Sequence, residues 1–348
     1  MKILCLLSWK PGSRWLWDYL PDSRDLVDFA SVSPLSDRFP GYGKLFEYYP
    51  KYLRLGQRAF ARMQDYDLIV TWEANTALPL AFMRSLTGRR TPPLVVLNFV
   101  LKGQPVLDLL PLVRFAMRSV DRITCLSLRE IEYYSQVLSY PVGNCQKLQG
   151  PFRDFFADSH RYQFGGSNPI QGMTPYIFSA GRSHRDYQTL VEAVRDIPIR
   201  VIINARQFNV KGIQPPANVT INPFLPFGEY LDMLEKASFV VAPLLTARHA
   251  SGETFIIQAM TTRKAVIASQ TYSTAEIIEN GVNGLLVPPG DPQALRAAIQ
   301  QLIQDPGLAY RLGQTARQHY LERWSFPIVS RQIDQLLQSV TSQRTILN

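Results

Sequence analysis

Short apolar runs alternate with stretches of helical periodicity through almost all of the 348 residues, and this alternation narrows the fold more than any other feature. In the first half the runs are Ile3–Leu7, Leu68–Thr71, Leu94–Leu97 and Ile123–Leu126. In the second half they are Tyr176–Ser179, Arg200–Ile203, Val219–Ile221, Phe239–Ala242, Ala265–Ala268 and Leu285–Val287. Strands this apolar and this short belong in parallel sheets covered on both faces. Helical patterns at Tyr52–Met63, at Asn75–Leu86 and after most second-half strands supply the covers. The chain therefore reads as α/β and doubly wound.

Length argues for two such units, at roughly 150 residues per domain. The aperiodic stretch 159–174 (SHRYQFGGSNPIQGMT) is expected to join them, because a fresh strand–helix series starts after it. A surface loop within one domain is the alternative. The expected division is 1–160, 172–325, and a final helix in 326–348 packing back on the first domain.

Composition removes other classes. With 46% hydrophobic and 19% charged residues the chain is neither disordered nor fibrous. Cys5, Cys125 and Cys145 are an odd number at no metal-like spacing and read as reduced thiols of a cytoplasmic protein. Met1–Ser8 is cut by Trp9-Lys10-Pro11-Gly12 and reads as a buried strand rather than a signal peptide. No window approaches the roughly 20 apolar residues of a transmembrane helix. The net charge of +9 suits a nucleic acid, an anionic membrane or an anionic small molecule. No nucleic-acid motif accompanies it, so no nucleic-acid partner is expected.

In open α/β sheets ligands collect at the carboxyl ends of strands, where helix N-termini present unpaired N–H groups. Three strand ends carry suitable residues. At Tyr176–Asp186 a strand runs into Gly181-Arg182 with Arg185 close behind, and two guanidiniums beside a helix start suit a diphosphate. At Val240–Thr262 the residues Ser251, Gly252, Glu253 and Thr254 open a helix as an anion pocket. Gln258 lies one turn further in, able to bond a ribose hydroxyl. At Ala265–Asp291 a strand is followed by a short helix containing Glu276, a Gly281–Gly284 turn and a strand closed by Pro288-Pro289-Gly290-Asp291.

The stretch Ser251–Leu295 resembles the donor-binding signature of the family 4 (group 1) retaining glycosyltransferases. Its marks are Gln258-Ala259-Met260, Lys264–Ser269, Glu276-Ile277-Ile278 and Asn283–Asp291. Gly181-Arg182 resembles that family's phosphate-binding pair, and Phe224-Leu225-Pro226 its nucleobase loop; Asn204 joins the donor set. The resemblance covers about Tyr176 to Trp324 well and the first half only by general pattern. It implies a GT-B fold, two Rossmann-like domains facing across a cleft. It also implies transfer of a sugar from a UDP- or GDP-linked donor, retaining and without a bound metal or other cofactor. Arg182, Arg185 and Glu253 are then the catalytic candidates of the second half. The sequence departs from the family in having Gln258 and Ala250 where two glutamates are usual, and Arg263 for a glycine. A non-catalytic GT-B protein that binds a nucleotide sugar or a partner enzyme is the alternative, as is a nucleotide-sugar epimerase.

The first half should supply the acceptor site, for a sugar, lipid or small molecule. Glu73, after the strand Leu68–Thr71, is its candidate acceptor-positioning group or base, with Asn98 at the next strand end; both also suit helix caps. Residues 44–63 place Arg54, Arg58 and Arg62 on one helical face beside tyrosines and phenylalanines. That face is either solvated or a peripheral contact with an anionic membrane, at the inner face of the membrane.

Overall fold

The computed structural model describes residues 1–10, 15–20, 25–32, 43–101, 109–148, 150, 152–154, 175–223, 225–247 and 250–345. The stretch 159–174 lies outside them. The chain divides into two compact units, Met1–Pro151 with Phe326–Asn348, and Phe152–Ser325.

The first unit holds a parallel sheet of β1 (Lys2–Leu7), β2 (Leu26–Ser31), β3 (Leu68–Trp72), β4 (Leu94–Leu97), β5 (Arg122–Cys125) and β6 (Cys145–Lys147). Their spatial order is β2-β1-β3-β4-β5-β6. Side chains alternate across a strand, so β1 sends Leu4 and Leu6 to one face and Ile3, Cys5 and Leu7 to the other. The first set packs with Leu55, Leu80, Val113 and Ile131 from α1 (Gly43–Arg62), α2 (Ala74–Thr87), α3 (Leu110–Met117) and α4 (Leu128–Leu138). The second set packs with Val329, Ile333, Leu337 and Val340 of the final helix, Phe326–Thr345.

The second unit repeats the plan with β7 (Tyr176–Ala180), β8 (Arg200–Asn204), β9 (Val219–Asn222), β10 (Phe239–Ala242), β11 (Val266–Ser269) and β12 (Leu285–Val287). The helices are α5 (Tyr187–Ala193), α6 (Phe227–Lys236), α7 (Glu253–Thr261), α8 (Pro292–Gln304) and α9 (Pro306–Arg323). The order β12-β11-β10-β7-β8-β9 is that of a dinucleotide-binding sheet, with the winding reversed between β7 and β10. In the first unit the reversal falls between β1 and β3.

Four sequence expectations are corrected. Strands β2 and β6 were not anticipated; both are edge strands, β2 half-exposed along its length and β6 only 3 residues long. Helix α1 begins at Gly43 rather than at Tyr52 and passes through Pro50. Pro50 is exposed, so water can serve the carbonyl that its missing N–H leaves unbonded. Around Glu276 there is a run of turns instead of a short helix. There the buried Asn283 side chain accepts from Glu279 N at 2.8 Å and donates to Ile277 O at 3.2 Å, replacing helical bonds.

Candidate functional site

The winding reversal in the second unit sets the loop after β7 beside the loop after β10. They are stitched together: Asp186 N donates to Pro243 O at 3.0 Å and Leu245 N to His184 O at 2.9 Å. The strand ends extend the junction sideways, with Gly181 N donating to Asn204 O at 3.2 Å and Leu244 N to Ser269 Oγ at 2.9 Å. Helix α7 starts on the same structure. Its N-cap is Gly252, with φ 92° and no side-chain cap, rather than Ser251, which is buried. A Cβ at Gly252 would come within 2.7 Å of Leu244 Cδ1, so the helix start lies directly on the β10 loop. The first-turn amides of Glu253, Thr254 and Phe255 therefore open at the reversal point, the usual place for an anion in such a sheet.

The two arginines part company. Arg182 is exposed, its carbonyl held by Asn209 Nδ2 at 2.7 Å. Arg185 turns inward and is 8% exposed. Its Nε donates to Ala180 O at 2.9 Å and its Nη1 to Ser183 O at 3.0 Å. Arg185 thus organises its own loop as well, donating to the carbonyls of Ala180 and Ser183. Gly181 makes this possible. Its φ is 125°, and a Cβ there would collide with the Arg185 guanidinium. Burial pulls the Arg185 pKa down, while the neighbouring Tyr187 and Tyr230 raise it. Among the described residues no carboxylate lies within ion-pair distance of this cation.

Tyr230 on α6 completes the cluster. Its ring packs on Phe178 at 5.7 Å and stacks on the exposed Phe227 at 6.0 Å. Its hydroxyl donates to Gln258 Oε1 at 2.6 Å. Burial raises the Tyr230 pKa, and the Arg185 charge lowers it. Thr254 is exposed, Glu253 buried, Leu225 half-buried; Phe224 lies outside the described residues. Sequence reasoning passed over Tyr187 and Tyr230. The available signal was the aromatic pair three residues apart at the start of α6.

In the first unit Glu73 follows β3 at φ 73° and ψ 150°, a conformation almost confined to glycine. Its N donates to Leu97 O at 2.9 Å, and Ser8 Oγ, just past β1, donates to its Oε2 at 3.5 Å. Asn98, after β4, also has a positive φ, 52°, and its Oδ1 is buried without a partner among the described residues. Strain and an orphaned acceptor thus share one sheet end, the carboxyl side where the winding reverses.

Residues 175–305 match the family model described as glycosyl transferases group 1. Alpha-D-kanosaminyltransferase of Streptomyces kanamyceticus is 27% identical over 149 residues, 42% of this chain and 36% of that protein. Phosphatidyl-myo-inositol mannosyltransferase of Mycolicibacterium smegmatis is 29% identical over 118 residues, 33% of this chain and 30% of that one. The chain thus aligns with about a third of the length of these curated relatives. Sucrose-phosphate synthase from Thermosynechococcus elongatus superimposes with a TM-score of 0.73 at 18% identity, covering 99% of this chain and 100% of that one. Anabaena HepE, solved in complex with UDP, gives 0.68 at 18% identity, covering 97% and 100%. The fold is GT-B.

Proposed function

We propose that this chain is a glycosyltransferase that takes a hexose-like sugar from a nucleoside diphosphate donor, and that the donor diphosphate sits at Arg185 and the start of α7. The observation that carries this reading is the buried Arg185 cation at the winding reversal, with no carboxylate beside it among the described residues. A buried charge without a counter-ion is costly, and a diphosphate would supply two negative charges where the amides of α7 also point. Uridine is the favoured base, since HepE was solved with UDP and with UDP-glucose. The transfer is proposed to be retaining, with Arg182, Arg185 and the α7 amides taking the charge that grows on the leaving diphosphate. No metal is required in this scheme, so turnover should persist in EDTA.

The test is a thermal-shift screen of the full chain against UDP, GDP, ADP, CMP and their sugar conjugates. A ligand at a hundred times its dissociation constant stabilises by about 2.7 kcal/mol. One responding base, followed by transfer to an acceptor panel, is expected. Silence across the panel would remove the reading. Binding without transfer or hydrolysis would favour the non-catalytic alternative, for which the uncharged Gln258 speaks.

Glu73 is proposed to position the acceptor. Glu73→Gly should then separate stability from activity. Relief of its strained backbone outweighs the entropy glycine adds to the unfolded chain, so stability should rise by about 1 kcal/mol. The kcat/KM with the acceptor should meanwhile fall. Unchanged kcat/KM would show that the carboxylate has no part in transfer.

Peripheral contact with an anionic membrane is proposed for α1. Arg54 and Arg58 are exposed beside Tyr49 and Leu53, although Arg62 is turned toward Tyr66 and Asp65. No helix among the described residues is long and apolar enough to cross a membrane. Flotation with phosphatidylserine vesicles should carry the protein upward, and less so after Arg54→Glu/Arg58→Glu. Failure to float excludes the contact.

A further inference from the structure

We propose that Tyr187 is a positioning residue of the nucleotide site, acting on the diphosphate through Arg185 without touching the ligand. The inference rests on the donor site argued above. Tyr187 opens α5 and is 1% exposed, so its side chain cannot meet a bound nucleotide. Its hydroxyl reaches back and donates to Gly181 O at 2.7 Å. The other end of this strut is fixed as well. Asp186 caps the same helix, accepting from Thr189 N at 3.1 Å and from Thr189 Oγ1 at 2.7 Å.

Gly181 is where such a hold is needed. At φ 125° glycine occupies a region that other residues rarely adopt, and nothing intrinsic to glycine keeps the turn there. The Arg185 fork depends on that turn. Its Nε and Nη1 bonds go to Ala180 O and Ser183 O, the carbonyls on either side of the Gly181-Arg182 pair. The guanidinium itself lies against Gly181, in the space a Cβ would fill. Rotation about the Gly181 backbone would therefore draw one acceptor away from the other and drive the turn into the cation. The neighbouring carbonyls have other donors, Asn209 Nδ2 for Arg182 O and Leu245 N for His184 O, while Gly181 O is held by Tyr187. A cation fixed before the ligand arrives loses no further freedom on binding, and that difference is read as affinity.

The experiment is a double-mutant cycle read by calorimetric titration of the full chain with UDP, GDP and ADP, extended to millimolar ligand for the weakened variants. For the base that wild type binds, Tyr187→Phe should lower affinity about fivefold or more. The lost bond joins neutral groups, and Gly181 is half-buried, where water can serve its carbonyl, so this variant should fold and melt within a few degrees of wild type. In the Arg185→Met background the same substitution should change affinity by less than about twofold, because the group it positions is gone. In Arg182→Ala it should keep its full effect. Equal weakening in wild type and in Arg185→Met overturns the proposal, since a general loosening of the fold acts on both. Unchanged affinity in Tyr187→Phe overturns it too, as does an effect abolished by Arg182→Ala alone. Absence of binding by all three nucleotides, or wild-type affinity in Arg185→Met, overturns the donor site itself and this inference with it.

Discussion

Arg185→Met should lower nucleoside diphosphate affinity by about two orders of magnitude, some 3 kcal/mol, measured by calorimetric titration. Methionine keeps much of the side-chain volume and removes the charge from a site where water cannot replace it. The ligand-free protein should melt within a few degrees of wild type. Loss of the bonds to Ala180 O and Ser183 O destabilises it, while removal of a desolvated cation offsets much of that cost. Arg182 is exposed, so Arg182→Ala should weaken binding only about tenfold, because a solvated ion pair is worth little. Wild-type affinity in Arg185→Met would remove the diphosphate from this loop.

A single methyl group at Gly313 should be severely damaging to folding. Gly313 lies in α9 where that helix crosses the segment entering β11, and a Cβ there would run into the Arg263 carbonyl and approach Ala265 N to 3.2 Å. Neither neighbour is a flexible side-chain end, so the helix must move away from the sheet. Gly313→Ala should cost about 3 kcal/mol or more, and for a unit of this size that lowers Tm by about 10 °C. Gly228→Ala is the control. No atom lies within 4 Å of its added Cβ, and alanine in a helix is favoured by about 0.5–1 kcal/mol. Equal melting of the two variants in differential scanning calorimetry would contradict the packing described.

Most strands that sequence reasoning located are buried on both faces, where an apolar run has no competing explanation. Leu94–Leu97, Phe239–Ala242 and Leu285–Val287 begin and end where the pattern puts them. Leu26–Ser31 and Cys145–Lys147 escaped notice because the first is half-exposed along its length and the second has 3 residues and no apolar run. Of the candidate site, the strand ends and their order could be read directly. The direction of each side chain could not. Arg182 and Arg185 look equivalent along the chain, and only the left-handed Gly181 turn separates an exposed guanidinium from a buried one. The Tyr230–Gln258 bond joins residues 28 positions apart on different helices, a distance no local pattern spans. The start of α1 was also missed: its helical pattern shows from Tyr52, but the helix begins at Gly43 and continues through Pro50.

The first unit is built from two segments that flank the second in sequence, and this orders its folding in time. The apolar side chains Ile3, Cys5, Leu7, Val70 and Val95 are made early, but their cover, Val329 to Val340, is made after the whole of Phe152–Ser325. At about 5–20 residues per second, the intervening segment takes about 10–35 s to synthesise. During that interval the second unit, a continuous stretch, can close its own core while one face of the earlier sheet stays bare. A nascent chain halted before residue 326 should therefore bind a holdase chaperone through the bare face of its first sheet, and release it only when Phe326–Thr345 has been made.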